Sequence, residues 1–143
     1  MIHTTDLMLG NWVEYATGIN NDKRSIPMQV TGIFADTVYL DFDGNEGDVF
    51  EEEEENLIGI PITEEVLEKA SFKRLSAVIG KKEYYYINGQ RPYTADRLSL
   101  CIENGVGTLY VTYNGSHIHD IRYLHQLQNA YFMLTGKRLE VKL

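Results

Sequence analysis

The sequence predicts an α+β fold in which a small β-barrel-like part is followed by an antiparallel β-meander and two helices. Short apolar stretches rich in β-branched and aromatic residues recur along the chain, and Gly, Asn, Asp and Pro separate them. Asn-Gly pairs, which favour hairpin turns, occur three times between residues 88 and 115. Only two segments show the apolar spacing of a helix. These observations favour antiparallel sheets, with the C-terminal helix packed on the sheet.

The first 60 residues are expected to form the barrel-like part. Strands are predicted at Leu9–Tyr15, Met28–Phe34 and Val38–Phe42, where the residues are alternating, aromatic or β-branched. The segment DGNEG then has the residues of a hairpin turn. The opening LxxGxWV is similar to the first strand of SH3-like barrels, an analogy of fold that implies no activity. Residues 1–60 and 61–143 are predicted to form two parts of one compact unit.

A short helix is predicted from Glu64 to Ala70. Pro61 interrupts the extended chain, and Thr63 is the expected N-cap. Glu64 and Glu65 lie where carboxylates favour the positive end of the helix dipole. The helix therefore connects the two parts of the chain.

An antiparallel meander is predicted between Phe72 and Tyr113, from the apolar stretches LSAVI, EYYYI, RLSLCI and TLYVTY. The segment RYLHQLQNAYFMLTG then has apolar residues at 3, 4, 3 spacing, which predicts a helix of about three turns. Gly136 stands where a helix C-cap is expected. The final LEVKL is a candidate edge strand.

Composition limits the classes of function. The 143 residues are 43% hydrophobic, which is enough for one core or two small packed halves. The net charge of −8 opposes general nucleic-acid binding, since phosphate contacts come from Lys and Arg. A lone cysteine, Cys101, excludes an internal disulfide. The first residues do not resemble a signal peptide, and no apolar run reaches the roughly 18 residues of a membrane span. A cytoplasmic protein with no membrane association is expected.

Charge is strongly segregated along the chain. Between Asp36 and Glu68 there are thirteen acidic residues and no Lys or Arg, whereas the remainder has a net charge of +5. Such asymmetry favours oriented association with a partner. The five consecutive acids are therefore candidate partner-binding residues: Glu51, Glu52, Glu53, Glu54 and Glu55. A solvated acidic edge strand, which would discourage aggregation, is the simpler interpretation.

The same segment resembles a calcium-binding loop in part. Asp41, Asp43 and Asn45 occupy positions 1, 3 and 5 of the EF-hand pattern, and Glu52 occupies position 12. Position 6 requires glycine, yet Glu46 stands there, and strands are predicted where an EF-hand has helices. An EF-hand is therefore not expected, and irregular calcium binding by these carboxylates is the alternative that stays open.

Histidines supply a second candidate metal site. His117 and His119 would share one face of a strand, and His125 follows on the helix, so three imidazoles could converge on zinc. Structural histidines are the simpler interpretation. No Cys pair or second cluster supports a metal, and no cofactor is predicted.

The last helix has an uncharged polar face formed by His125, Gln126 and Asn129. On a helical wheel, His125 and Asn129 lie opposite the apolar stripe, which suits exposed residues that meet a partner. Gln128 projects closest to the stripe and is predicted to form internal hydrogen bonds. His125, Gln126 and Asn129 are therefore candidate partner-binding residues.

Catalytic signatures are missing from the sequence. The chain has no phosphate-binding GxxxxGK[ST], no G-x-S-x-G and no HExxH motif. Cys101 lies in an apolar stretch, where a core position is expected. A non-catalytic protein is predicted.

Three blocks resemble a family of short uncharacterised proteins of gut Bacteroidetes and of their prophages and mobile elements: LMLGNWV, IGIPITEEVLEKASF and YLHQLQNAYFMLTGKRLEV. Family members usually carry Gly where this chain has Ser71, at a position that would terminate the helix. The resemblance covers most of the chain and implies a bacterial or phage setting, but no catalytic residue. The missing catalytic signatures, the segregated acidic segment and the uncharged polar face of the last helix favour a binding or accessory protein that acts through contacts with an unknown protein partner. An acidic DNA mimic that inhibits a host nucleic-acid enzyme and a metal-binding protein are the alternatives.

Overall fold

Two antiparallel β-sheets and two α-helices make up the described part of the protein. The computed structural model describes residues 1–42, 50–74, 82–87, 98–111 and 116–143. Within these ranges the chain forms two units: Met1–Pro61 with Tyr123–Asn129, and Ile62–Arg122 with Ala130–Leu143. The α+β prediction with a barrel-like N-terminal part is confirmed.

The first unit contains a six-stranded sheet. Its strands are β1 (Trp12–Thr17), β2 (Lys23–Arg24), β3 (Met28–Ile33), β4 (Thr37–Asp41), β5 (Phe50–Glu53) and β6 (Leu57–Ile58). Single turns of 3-10 helix lie at Thr4–Asp6, Ile19–Asn21 and Glu54–Asn56.

The pairing of β1 explains why this sheet curls. β1 pairs with β3 near Trp12, with β2 near Thr17, and with β6 at Glu14 and Tyr15. β3 continues through β4 to β5, always antiparallel. Because the last strand pairs with the first, the sheet cannot stay flat. β5 remains at the far end of the strand order.

The core of the first unit follows the strand alternation seen in the sequence. Alternate residues of β3 and β4 point inward, as Val30, Val38 and Leu40 show, each with at most 1% of its surface exposed. The other core members come from β1, from the start of β3, from β6 and from the N-terminal segment: Val13, Met28, Leu57, Ile2 and Leu7.

The second unit contains the predicted meander, except that the stretch LSAVI, at residues 75–79, lies outside the described residues. Its elements are α1 (Glu64–Lys69), β7 (Phe72–Arg74), β8 (Lys82–Ile87), β9 (Leu98–Glu103), β10 (Val106–Val111) and β11 (Ser116–Ile121), followed by α2 (Leu124–Thr135), whose first turns belong to the first unit. The strand order is β11-β10-β9-β8-β7. Two of the three Asn-Gly turns, at residues 88–89 and 114–115, lie outside the described residues.

The helix ends agree with the predicted caps. Thr63 Oγ1 accepts a hydrogen bond from the Val66 N–H at 3.2 Å, and α1 ends one residue earlier than predicted. Ser71, just beyond α1, has a φ of +66°. Gly136, just beyond α2, has a φ of +71°. Both helices therefore end in the left-handed conformation that glycine adopts at least cost.

The predicted strand at LEVKL is wrong. Residues 139–143 have no regular secondary structure, although Leu139 and Val141 are buried. The Lys142 N–H donates to the Lys69 carbonyl at 3.1 Å, so the segment is held beside the end of α1. Alternation of apolar residues here reflects burial of two side chains and no strand pairing.

No helix in the described part of the chain has both the length and the apolar character needed to span a membrane.

Candidate functional site

The start of α2 is tied to the segment before β1 through the amide of Gln128. Its Oε1 accepts a hydrogen bond from the Trp12 N–H at 2.9 Å, and its Nε2 donates to the Gly10 carbonyl at 3.2 Å. A neighbouring strand would make the same pair of bonds to alternate residues. The prediction that Gln128 forms internal hydrogen bonds is confirmed.

Asn129 extends this contact by one residue. Its Nδ2 donates to the Asp6 carbonyl at 2.8 Å, and its Oδ1 accepts from Asn11 Nδ2 at 2.9 Å. Asn11 is buried and also accepts from the Met8 N–H at 2.8 Å. Both polar atoms of the Asn129 amide are thus used within the unit. Asn11 was not identified from the sequence, since a single Asn before a strand carries no distinguishing pattern.

Gln126 lies in the first turn of α2 and is half-buried. Its Oε1 accepts a hydrogen bond from the Tyr123 N–H at 3.1 Å. Tyr123 precedes the helix, so Gln126 makes the returning bond of a capping box. The side chain therefore stabilises the helix start.

His125 is inside the protein, with 3% of its surface exposed. Its ring stacks on that of Tyr123, with centroids 5.9 Å apart and planes inclined by 10°. Nδ1 has no hydrogen-bond partner among the described residues. Burial lowers the pKa of His125 to about 4, against an opposing effect of Asp6. The expected exposed position is therefore wrong, because the helical wheel does not show what covers this flank of α2.

The five glutamates after Phe50 divide into two groups. Glu52 accepts a hydrogen bond from Asn56 Nδ2 at 2.7 Å, and Glu54 accepts from the Thr4 N–H at 2.9 Å. Both are half-buried, whereas the other three are exposed: Glu51, Glu53 and Glu55. Within β5, strand alternation exposes Glu51 and Glu53, and the following 3-10 turn exposes Glu55.

The exposed carboxylates border a shallow groove of about 220 Å³. Met1, Asp36 and the segment Glu53–Glu55 line it, so four of its five residues are acidic. Hydrogen bonding to Glu55 and repulsion from it raise the pKa of Glu53. A positive group placed here would relieve that repulsion. We call Glu51, Glu53, Glu55 and Asp36 the acidic edge.

The partial EF-hand pattern corresponds to strands. Asp41 ends β4 opposite Gln29, and Glu52 lies in β5 opposite Val38. The expectation of strand flanks is thus met at Asp41 and at Glu52. Asp43 and Asn45 lie outside the described residues, so irregular calcium binding stays a prediction.

The three candidate histidines divide between the two units. His117 and His119 lie on β11 in the second unit, and His125 belongs to the first. Among the described residues, no group of three or more His, Cys, Asp or Glu side chains could hold a metal ion. The sequence placed His117 and His119 correctly on one strand face but did not reveal the burial of His125.

Charge divides between the units as well as along the chain. The first unit has two basic and thirteen acidic residues, and the second has eleven basic and eight acidic residues. The net charges are therefore −11 and +3. The unit that carries the acidic edge is therefore strongly negative, and the other unit is weakly positive.

A second groove, of about 320 Å³, lies within the second unit beside α1. Charged residues of both signs line it together with Phe72 and Tyr85. The Tyr85 hydroxyl donates to Glu83 at 3.0 Å, and burial raises its pKa to about 12. Arg74 lies 3.6 Å from the same carboxylate. The network is satisfied internally and presents no activated group.

Comparison with known proteins gives no match: no protein-family model, no curated protein and no solved structure matches the chain.

Proposed function

We propose that the protein is a non-catalytic, cytoplasmic binding protein, of phage or mobile-element origin, that docks a basic protein surface on its acidic edge. The observation that carries this proposal is the exposed set of carboxylates on β5, on the 3-10 turn after it and at Asp36. Glu52 and Glu54 support the local structure through hydrogen bonds, whereas Glu51, Glu53 and Glu55 are exposed. Outward carboxylates are therefore available for a partner.

Electrostatics favours a cationic partner. The raised pKa of Glu53 reports repulsion among neighbouring carboxylates. Lys or Arg side chains would relieve this repulsion, and the net charge of −11 on the unit would steer a basic surface toward it. Affinity from such exposed pairs is sensitive to salt.

The polar face of α2 contributes less to this proposal. Gln126 and Asn129 use their amides within the first unit, and His125 is buried. A partner that touched these residues would compete with bonds that hold the helix start. We therefore expect these three residues to contribute less to partner binding than the acidic edge does.

The experiment is affinity capture from bacterial lysate, after nuclease treatment, at low and high salt. The bait is the wild type or the variant Glu51→Gln/Glu53→Gln/Glu55→Gln. The matched control removes three exposed carboxylates of the second unit: Glu64→Gln, Glu68→Gln and Glu140→Gln. A partner retained by wild type and control, but lost by the edge variant and at high salt, supports the proposal. Equal capture by all three proteins would contradict it.

A second candidate function is mimicry of the DNA backbone, favoured by the concentration of thirteen acids in one unit. A mimic occupies the nucleic-acid site of its target enzyme, so duplex DNA should release the captured partner. Release by duplex DNA at constant ionic strength would support mimicry. Retention of the partner would assign the acidic edge to a basic surface outside any DNA site.

A further inference from the structure

The two exposed histidines of β11 form a pair that neither the acidic edge nor the core uses. His117 and His119 are separated by one residue, so they project from the same side of the strand. Their ring centroids lie 4.6 Å apart, with planes inclined by 80°. We propose that His117 and His119 form a two-imidazole site for Zn²⁺, whose other coordination positions are open to water.

The ring separation fits a shared metal ion. With a zinc–nitrogen distance of about 2.0–2.1 Å, each ring centroid would lie roughly 3.2 Å from the ion. Two imidazoles on one ion would then have centroids about 5.2 Å apart at a tetrahedral angle and about 4.5 Å apart at a right angle. The observed 4.6 Å lies within this range.

Residues of β10 position each ring from the side. Tyr110 stands directly opposite His117, and the two ring centroids are 5.9 Å apart. Thr108 Oγ1 lies 3.3 Å from His119 Nδ1. When Nδ1–H donates to Thr108, the lone pair of Nε2 faces outward. Histidines that bind metals have their second nitrogen fixed in this way.

A β-bulge in β11 includes His119, the second member of the pair. His119 and Asp120 together oppose Thr108, because Ile118 pairs with Leu109 and Ile121 pairs with Gly107. Asp120 has a φ of +62°. Bulges reorient side chains at sheet edges, and β11 is the edge of its sheet.

The donor set selects the class of cation. Neutral imidazole suits Zn²⁺, Cu²⁺ and Ni²⁺, whereas Ca²⁺ and Mg²⁺ require several oxygen ligands. With two protein ligands, water completes the coordination, as it does at open zinc sites. The site is independent of His125, which lies in the other unit.

The test is titration of the full chain with Zn²⁺ alone, followed by calorimetry and by NMR of the histidine rings. We expect shifts of the His117 and His119 ring signals, and at least a tenfold loss of affinity in His117→Ala and in His119→Ala. His3→Ala is the matched control, since His3 is also exposed but lies in the first unit. It should bind as the wild type does.

Thr108 provides an independent readout. Thr108→Val removes the hydroxyl beside His119 and should weaken zinc binding severalfold, whereas Thr108→Ser should restore it, as expected of a residue that orients a ligand. Zinc-induced shifts at His3 only, or affinity unchanged in both β11 variants, would overturn the proposal. Because the ring signals are followed in the wild type, a variant that fails to fold does not obscure the result.

Discussion

At the scale of single residues, buried polar side chains take the place of missing backbone partners. Gln128 bonds one backbone donor at the start of β1, the Trp12 N–H, and one acceptor just before the strand, the Gly10 carbonyl. A buried backbone group without a partner costs about 1–3 kcal/mol. The identity of residue 128 should therefore matter for stability far more than its helical propensity.

Gln128→Leu keeps the approximate size of the side chain but leaves the Trp12 N–H without its partner, and the Gly10 carbonyl keeps only the longer bond from Gln29 Nε2, at 3.5 Å. We expect it to lower the free energy of unfolding by roughly 2–3 kcal/mol. Gln126→Leu is the control in the same helix, and loss of its cap bond should cost about 1 kcal/mol. Urea denaturation of both variants measures the difference. An equal decrease in the free energy of unfolding in both variants would show that the bonds to Trp12 and Gly10 stabilise the protein no more than the cap bond does.

His125 makes stability depend on pH. Its pKa is about 4 in the folded protein, against an ordinary value of 6.5 for histidine, so the unfolded chain binds the proton more tightly. Stability is full above pH 6.5 and falls as the pH drops from 6.5 toward 4. At pH 5 the loss should be about 2 kcal/mol.

The measurement is the free energy of unfolding at pH 7.5 and at pH 5, for wild type and for His125→Phe. Phenylalanine keeps a flat ring against Tyr123 and has no proton to bind. From pH 7.5 to pH 5, the free energy of unfolding should decrease by about 2 kcal/mol less in His125→Phe than in the wild type. In the control His3→Ala, the free energy of unfolding should decrease between pH 7.5 and pH 5 as much as it does in the wild type. Equal decreases in the wild type, His125→Phe and His3→Ala would contradict the prediction.

At the scale of elements, α1 is followed by a serine in a backbone conformation that glycine usually adopts at helix ends. Ser71 has a φ of +66°, a conformation that strains residues with a Cβ. Glycine avoids the strain but increases the conformational entropy of the unfolded chain, which offsets part of the gain in stability. We expect Ser71→Gly to raise the free energy of unfolding by about 0.5–1 kcal/mol. Ser71→Ala, which keeps the Cβ, should bring no such gain in thermal or urea denaturation.

Elements with strong local signals were predictable from the sequence. Thr63 and the carboxylates after it set the start of α1, and alternating residues marked β8, β9 and β10. β2 and β6 have two residues each, too few for any period, and were not predicted. The burial of His125 was missed because it depends on residues more than a hundred positions away, as the bonds of its neighbours Gln128 and Asn129 to Gly10 and Asp6 illustrate.

At the scale of the whole molecule, the concentration of charge on one unit opposes folding. The first unit has a net charge of −11, and its compact state brings like charges together. The variant Glu51→Gln/Glu53→Gln/Glu55→Gln should therefore unfold at a higher temperature than the wild type in low salt. The difference should disappear in 1 M salt, where the Debye length is about 3 Å. A lower unfolding temperature in low salt would show that the carboxylates stabilise the fold.

Light scattering of the same variant tests the role of β5 as a charged edge. Without its exposed carboxylates, an edge strand pairs more readily with another chain. We expect slow aggregation of the variant at concentrations where the wild type stays monodisperse. If both remain monodisperse, protection of the edge is not what these carboxylates provide.

The discontinuous first unit has a consequence for the order in which the protein is made. Residues 1–61 leave the ribosome early, but the helix turns that complete this unit, Tyr123–Asn129, are synthesised about 60 residues later. At about 5–20 residues per second, this delay lasts on the order of several seconds. During that time the Trp12 N–H and the Gly10 carbonyl lack their partner on Gln128. The N-terminal sheet is thus synthesised well before the helix turns that complete its unit, and over this interval the net charge of −11 on the emerged segment opposes association with other chains.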